Sequence, residues 1–477
     1  MDEMLNEIDK IIWGPYVLIP LLLGTGIWLT LRLGGLQFTK LGPALGLAFL
    51  RRNDAAEDEG DVSHYQALAT ALAATVGVGN IAGVATAIHL GGPGALFWMW
   101  ISAIFGMAAK YSEAFMGVRF RTLDANGEVS GGPQYYLQKA IPGGFGKFLA
   151  LFFAVAAVIA SFGIGNMTQS NSVAAAMKET FHVSPTIVGA VLAVMTALVL
   201  LGGLKSVSRI TSAFVPAMII FYVVAGTIVL IINASAIGEA LRLVFTDAFT
   251  GTAAVGGFLG AGMAQAIQYG IARGIFSNES GMGSAAIVAA AAKTKHPVRQ
   301  GLVSMTQTFI DTIIVVSMTG LVILTTGVWQ SGKTGAALTA EGFSSGLPGS
   351  WGGIIVALAL IFFAYSTVLG WAYYGERNIE RLVGVKGILP YRLLFSAVVF
   401  VGATLELSTV WTLSDIANGL MALPNLIGLL ICSGLIARET KAYLKADPML
   451  KDPPRESTLN GMELLLREEV GPSHDRR

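Results

Sequence analysis

Eleven apolar stretches, each long enough to cross a bilayer as a helix, follow one another along this 477-residue chain. They lie near 14–34, 65–89, 93–118, 146–177, 184–203, 208–233, 251–292, 298–327, 350–379, 390–406 and 409–437. Backbone in hydrocarbon must satisfy its own hydrogen bonds, so runs of this length point to an all-α polytopic membrane protein. The charge content agrees: 13% of residues are charged, about half the roughly 25% that covers a soluble domain. A net charge of +1 gives no basic field for nucleic acid. The single cysteine, Cys432, excludes an internal disulfide. Met1–Lys10 carries Asp2, Glu3, Glu7 and Asp9 against one Lys10, the reverse of a signal peptide's basic start, so the first apolar stretch is expected to stay in the mature protein.

Eleven spans put the termini on opposite sides. With the N-terminus outside, inner loops and the C-terminal tail hold about 25 of the Lys and Arg residues, and the outer side only Lys10, Lys178, Arg242 and Lys333. The expectation is therefore N-out and C-in, in a bacterial or archaeal cytoplasmic membrane. Two amphipathic pieces, near 236–248 and 335–345, are expected at the outer surface. The residues beyond Arg438 are expected to form a solvated, partly disordered tail.

Two enzyme-like motifs fail on context. Gly77-Val78-Gly79-Asn80-Ile81-Ala82 fits the dinucleotide fingerprint, but it lies inside a membrane-length helical stretch rather than after a strand. Gly342-Phe343-Ser344-Ser345-Gly346 fits a nucleophile elbow without the preceding strand. The five histidines show no ligand spacing, so no transition-metal site is expected. The glycines at 77–83 make better sense as a break in a membrane helix, tolerated where backbone lines a cavity. A second break falls at Gly274–Ser284, with Ser277, Asn278 and Glu279 as its polar residues. With the first span set aside, the breaks occupy core helices 1 and 6 of ten. That is the pattern of two inverted five-helix halves with a transport site between them, although mid-helix glycines can also serve close packing alone.

Several segments closely resemble the alanine or glycine:cation symporter family over about residues 13–440. They are Gln66–Ala69 through Gly79–Ala85, Gly131-Gly132-Pro133, Gly165-Asn166-Met167, Gly274–Gly283 and Trp371–Arg377. The resemblance implies eleven spans in a LeuT-type 5+5 inverted repeat. The implied divisions are an N-terminal extra helix and connecting segment (1–50), two repeats (51–235 and 236–438) and a cytoplasmic tail (439–477). It also implies a sodium-coupled symporter importing small neutral amino acids, with no catalytic residue and with monomers sufficient.

For the carboxylate of such a substrate, the resemblance points to backbone N–H groups at Val78, Gly79 and Asn80, which add the positive end of a half-helix dipole. For its ammonium it points to carbonyls at Phe276, Ser277 and Glu279, with Thr75. Asn278 belongs to the same break. Phe276, Met282 and Trp371 would limit the side chain. Asn166 and Gln169 either face the pocket or make interhelical hydrogen bonds. For sodium, a hard cation that wants oxygen, the implied ligands are the carbonyls of Ala73, Val76 and Phe363 and the hydroxyls of Ser366 and Thr367. Lys110 and Glu113 read as a structural ion pair near the inner face, and Arg273 with Asp415 as an outer gate pair. Asp311 and Glu406 receive no role. The alternatives are a same-fold carrier of another solute or of protons, a channel, and, disfavoured, a membrane enzyme.

If the charge asymmetry sets topology, single cysteines at Lys333 and Arg381 in a Cys432-substituted chain will react with an impermeant reagent from opposite membrane faces. Labelling of both in intact cells would contradict the arrangement.

Overall fold

The computed structural model describes residues 2–14, 16–50, 60–250, 259–294, 296–349, 351–405, 408–448 and 450. Among the described residues the apolar stretches lie largely on helices. The helices begin with α1 (Asp2–Ile12), α2 (Leu18–Arg32), α3 (Leu36–Thr39) and α4 (Leu41–Phe49). Next come α5 (His64–Thr75), α6 (Val84–Gly91) and α7 (Gly94–Arg119), then α8 (Pro133–Ala140), α9 (Gly143–Phe162) and α10 (Thr168–Phe181). They continue through α11 (Pro185–Leu201), α12 (Gly203–Ile232), α13 (Ala234–Thr250), α14 (Leu259–Asn278) and α15 (Ala285–Ala290). The last are α16 (Pro297–Thr308), α17 (Ser317–Thr325), α18 (Gly335–Gly346), α19 (Trp351–Val383), α20 (Ile388–Thr404) and α21 (Ser408–Ala446).

By length and composition, six helical runs among the described residues can cross a membrane. A seventh is gained if the bent pair His64–Thr75 and Gly79–Gly91 is one span. The chain is thus a multi-pass membrane protein. Among the described residues three wide π turns interrupt it, at Gly79–Gly83 between α5 and α6, Gly163–Met167 between α9 and α10, and Phe309–Val316 between α16 and α17. Such turns leave backbone groups out of the regular ladder and often mark functional positions. Among the described residues the structure is mostly helical, with a two-residue antiparallel ladder of β1 (Thr122–Leu123) and β2 (Val129–Ser130) and an isolated parallel bridge between Val62 and Ala292. This hairpin is held by the buried Arg377 of α19, which pairs with Asp124 at 3.2 Å and Glu128 at 2.6 Å, and with Glu380 at 2.8 Å on its own helix. Val129 N–H donates to Asp61 at 2.8 Å beside it. Burial pushes the Asp61 carboxyl above its ordinary pKa, and that N–H opposes the rise.

Three expectations are refined. The segment 251–292 is helical over α14 and α15 with a break between them, while 251–258 lies outside the described residues. The piece near 335–345 is α18, which is more than a surface helix: Leu338 and Phe343 are buried, and Thr339 Oγ1 donates to the Ile81 carbonyl at 2.9 Å. The presumed start of the tail is structured, because α21 runs on to Ala446. There Tyr443 stacks on His296 and Asp447 lies 3.7 Å from the buried Arg299. The remainder of the tail, from 451, lies outside the described residues.

Small residues let the broken elements approach. A Cβ on Gly117 of α7 would stand 2.5 Å from the Ala286 carbonyl of α15, and one on Gly370 of α19 would stand 2.7 Å from Ala74. Membrane helices gain little from water exclusion, so this backbone proximity carries much of their packing. Gly117→Ala should therefore destabilise by about 1–3 kcal/mol as an overpacked site. Gly144→Ala, with nothing within 4 Å, should be near neutral. Thermal unfolding in detergent compares the two, and equal melting temperatures would contradict the packing.

Candidate functional site

The first break starts with one side chain. Asn80 Oδ1 accepts the Gly77 N–H at 2.8 Å, which takes that N–H away from the Ala73 carbonyl four residues back. Asn80's own N–H donates to the Gly77 carbonyl at 3.2 Å, and that leaves the Val76 carbonyl outside the ladder as well. The Ala73 oxygen accepts instead from α19, from Thr367 Oγ1 at 3.1 Å and Ser366 Oγ at 3.3 Å. Both hydroxyls also reach the Phe363 carbonyl, at 3.0 and 2.8 Å. Four of the five oxygens expected to hold sodium are therefore gathered between α5 and α19. A Cβ on Gly77 would come within 2.5 Å of Thr367 Oγ1, so a side chain there would fill the cradle. The same Cβ would lie 3.4 Å from Gln169 Oε1, a buried oxygen without a hydrogen-bond partner among the described residues.

The second break follows Asn278. Glu279 takes φ 54°, a conformation that costs a non-glycine residue roughly 1–2 kcal/mol, and Gly281 and Gly283 follow at positive φ without that cost. Contacts hold Glu279 in place. Its carboxylate accepts from Ser284 Oγ at 2.5 Å and from Trp371 Nε1 at 2.8 Å. Its carbonyl accepts from Lys110 Nζ at 2.9 Å and from Met282 N–H at 3.2 Å. That carbonyl is thus engaged and does not match the free acceptor expected for an ammonium. At Phe276, Ser280 N–H turns to Asn278 Oδ1 at 2.9 Å and leaves the Phe276 carbonyl out of the ladder. Lys110 and Glu113 sit at this break rather than in a pair apart from it. Their charged atoms are 3.8 Å apart, and Glu113 Oε1 accepts from Gly283 N–H at 2.9 Å and Asn425 Nδ2 at 2.8 Å.

Asp311, in the π turn Phe309–Val316, joins the two breaks. Its buried carboxylate accepts from Asn80 Nδ2 at 2.8 Å, Ser277 Oγ at 2.9 Å and Thr312 Oγ1 at 2.8 Å. Thr312 in turn accepts from Asn278 Nδ2 at 3.0 Å. The breaks also touch directly, since a Cβ on Gly79 would meet Phe276 and Ser277 at 3.2 Å. Sequence reasoning passed over Asp311, although an acid inside an apolar run is itself a functional signal.

Other expected residues are placed as follows. Trp371 packs on Gly165, whose Cβ would overlap it at 2.3 Å. Met282 is buried at the second break. Asn166 departs from the pocket reading: its amide donates to the Phe395 carbonyl at 2.7 Å, an interhelical bond to α20. The Thr75 hydroxyl accepts from Gln307 Nε2 at 3.0 Å and donates within α5. Arg273 and Asp415 do approach, at 4.0 Å. Glu406 lies outside the described residues. A cavity of about 390 Å³ runs from Val78 along α10, α18 and α19, so the first break is reached by open space.

Two broken helices facing each other across one polar cluster are the architecture of the LeuT-type membrane fold. The architecture of MhsT in complex with L-phenylalanine overlays it at a TM-score of 0.55, covering 86% of this chain and 96% of that one at 16% identity, a likeness of fold alone. The description of the sodium:alanine symporter family matches residues 1–457, and the chain belongs to that family. It is 54% identical to the sodium/alanine symporter AgcS of Methanococcus maripaludis over 92% of this chain and 97% of the relative. It is also 35% identical to the probable sodium/glutamine symporter GlnT of Bacillus subtilis, over 95% of this chain and 93% of the relative.

Asp311→Ala would take the carboxylate from the Ser277 and Thr312 hydroxyls and leave Asn80 Nδ2 only the Asp311 carbonyl at 3.3 Å, and a buried donor left unpaired costs about 1–3 kcal/mol. The variant should lose thermal stability, and Asp311→Asn should recover part of it. Wild-type melting of Asp311→Ala would contradict the joining role.

Proposed function

We propose that this chain carries a small neutral amino acid, alanine or glycine, inward together with sodium by alternating access. The observation that carries the reading is the release of the Ala73 and Val76 carbonyls by Asn80, opposite the paired hydroxyls of Ser366 and Thr367. A cation that replaces these hydroxyl–carbonyl bonds would tie α5 to α19 and fix the first break. The fixed break then offers the Val78 and Gly79 N–H groups to the carboxylate, with Asn80 as the brace and the Phe276 and Ser277 carbonyls on the ammonium side. Gln169 Oε1, buried without a partner among the described residues and close to Gly77, is a further acceptor for either cation. Phe276, Met282 and Trp371 restrict the side chain. The similarity to the Methanococcus symporter supports both the ion and the solute.

In this reading eleven spans cross the cytoplasmic membrane with the N-terminus outside and the C-terminus within. The first helix precedes two inverted five-helix halves, 51–235 and 236–438, and a single chain transports. The cavity from Val78 past α18 is then the external route.

Sodium and solute share one conformation, so each must raise the other's affinity equally. Thr367→Val removes one oxygen at nearly constant volume. It should raise the sodium concentration for half-maximal uptake about tenfold, equivalent to roughly 1.4 kcal/mol, while Thr367→Ser largely preserves it. Unchanged sodium dependence in a transporting Thr367→Val protein would contradict the placement of the ion.

A further inference from the structure

The end of α21 leaves the bundle with two unlike faces, and one of them is docked. Glu439 pairs with Arg119 of α7 at 3.1 Å, and Thr440 meets the Tyr111 hydroxyl at 2.6 Å. Tyr443 lies on the His296 ring just before α16, with ring centres 4.2 Å apart. Lys40 Nζ donates to the Pro448 carbonyl at 3.1 Å. These contacts fix the rotation of the helix beyond its apolar stretch.

The other face is a stripe. Ile431, Gly434, Arg438, Lys441 and Lys445 follow at spacings of three and four, so they line one side of the helix. Arg438, Lys441 and Lys445 are exposed and make no ion pair among the described residues. Arg32, at the end of α2, joins them. Its guanidinium lies 5.4 Å over the Trp28 ring, and a Cβ on Gly434 would stand 3.3 Å from its Nη2. Trp28 is itself held to α21 by its indole N–H, which donates to Ser433 Oγ at 3.1 Å. The acids at 439 and 447 are turned inward onto Arg119 and Arg299, so this exposed face carries cations alone.

Next to the cations the surface is apolar: Leu31 is 71% exposed, Ile431 54% and Trp28 44%. An indole and basic side chains at the edge of an apolar band mark the boundary between hydrocarbon and headgroups. Arg438 and Lys445 stand about 10 Å apart along the helix axis, enough to cover a headgroup layer of roughly 5–8 Å.

We propose that this stripe is a docking surface for anionic phospholipids, with Arg32, Arg438, Lys441 and Lys445 taking the headgroup and Leu31 and Ile431 lying against the acyl chains. Each cation near an anionic membrane surface adds to the attraction, and salt screens it. A lipid with a neutral headgroup would cover the apolar edge and leave the cations without counter-charge. The docked face gives the lipid a consequence. Whatever holds the stripe also holds Glu439 on α7, which carries Lys110, and Tyr443 on the start of α16, which leads to Asp311.

The test counts the phosphatidylglycerol retained per chain by the full protein after extraction from bilayers of equal phosphatidylglycerol and phosphatidylcholine, by native mass spectrometry. The wild type should keep phosphatidylglycerol in preference to phosphatidylcholine, and extraction in about 1 M salt, where screening acts within roughly 3 Å, should release it. Arg438→Gln, Lys441→Gln and Lys445→Gln combined should lower retention about fivefold or more. Lys147→Gln, at an exposed cation on α9, should match the wild type. If the triple variant fails to fold, Arg438→Gln and Lys445→Gln singly should each lower retention about twofold. Equal retention of the two lipids by the wild type, undiminished retention in the stripe variants, or an equal loss in Lys147→Gln would overturn the proposal. Retention that emerges only after removal of residues 451–477 would make the chain's own acidic tail the occupant and overturn it equally.

Discussion

The Asp311 carboxylate is the constraint on which the site depends. It accepts from Asn80, from Ser277 and from its neighbour Thr312, so one buried group holds the first break, the second break and its own π turn. The consequences run outward in order. Asn80, held by Asp311, captures the Gly77 N–H; the Ala73 carbonyl is thereby released; the hydroxyls of α19 come to it. A charge this deep is expensive to desolvate, and a full set of donors is what makes it tolerable. An apolar residue at 311 would leave the two broken helices without a common anchor.

Glu279 plays the matching part at the second break. Its left-handed backbone is held through the Trp371 indole, the Ser284 hydroxyl and the Lys110 ammonium. Lys110 therefore serves the break as much as it serves Glu113. The two clusters meet where Phe276 packs on Gly79, which lets a change at one break be felt at the other without a long relay of side chains. An ion that fixes α5 against α19 and a solute that bridges the breaks would both favour the same arrangement, and this is the physical content of coupled transport.

Much of this was legible in the sequence, for reasons that can be named. Hydropathy located every apolar stretch, because the bilayer leaves the backbone so few options. Glycine clusters located both breaks, because weakened helix propensity in mid-span is rare without purpose. The oxygens of Ala73, Phe363, Ser366 and Thr367 came from family resemblance, and they lie together. What pattern could not reveal is which way a polar side chain turns inside a bundle. Asn166 and Gln169 lie one turn apart, yet the Asn166 amide bonds to α20 and the Gln169 oxygen lies near Gly77. Asp311 was visible as an acid in an apolar run, but its partners come from residues 231 and 34 positions away, which no local pattern links. The role of Glu279 was misassigned for a related reason: its carbonyl looked free in a broken helix, and Lys110 reaches it from 169 residues earlier.

The central claim is that sodium movement through this protein drives amino-acid movement. The most direct measurement is uptake of labelled alanine into proteoliposomes of the purified protein, with an inward sodium gradient against an equal inward potassium gradient and against an inward proton gradient. Accumulation above equilibrium with sodium alone is the predicted result. Equal accumulation with all three, or accumulation with the proton gradient only, would contradict it.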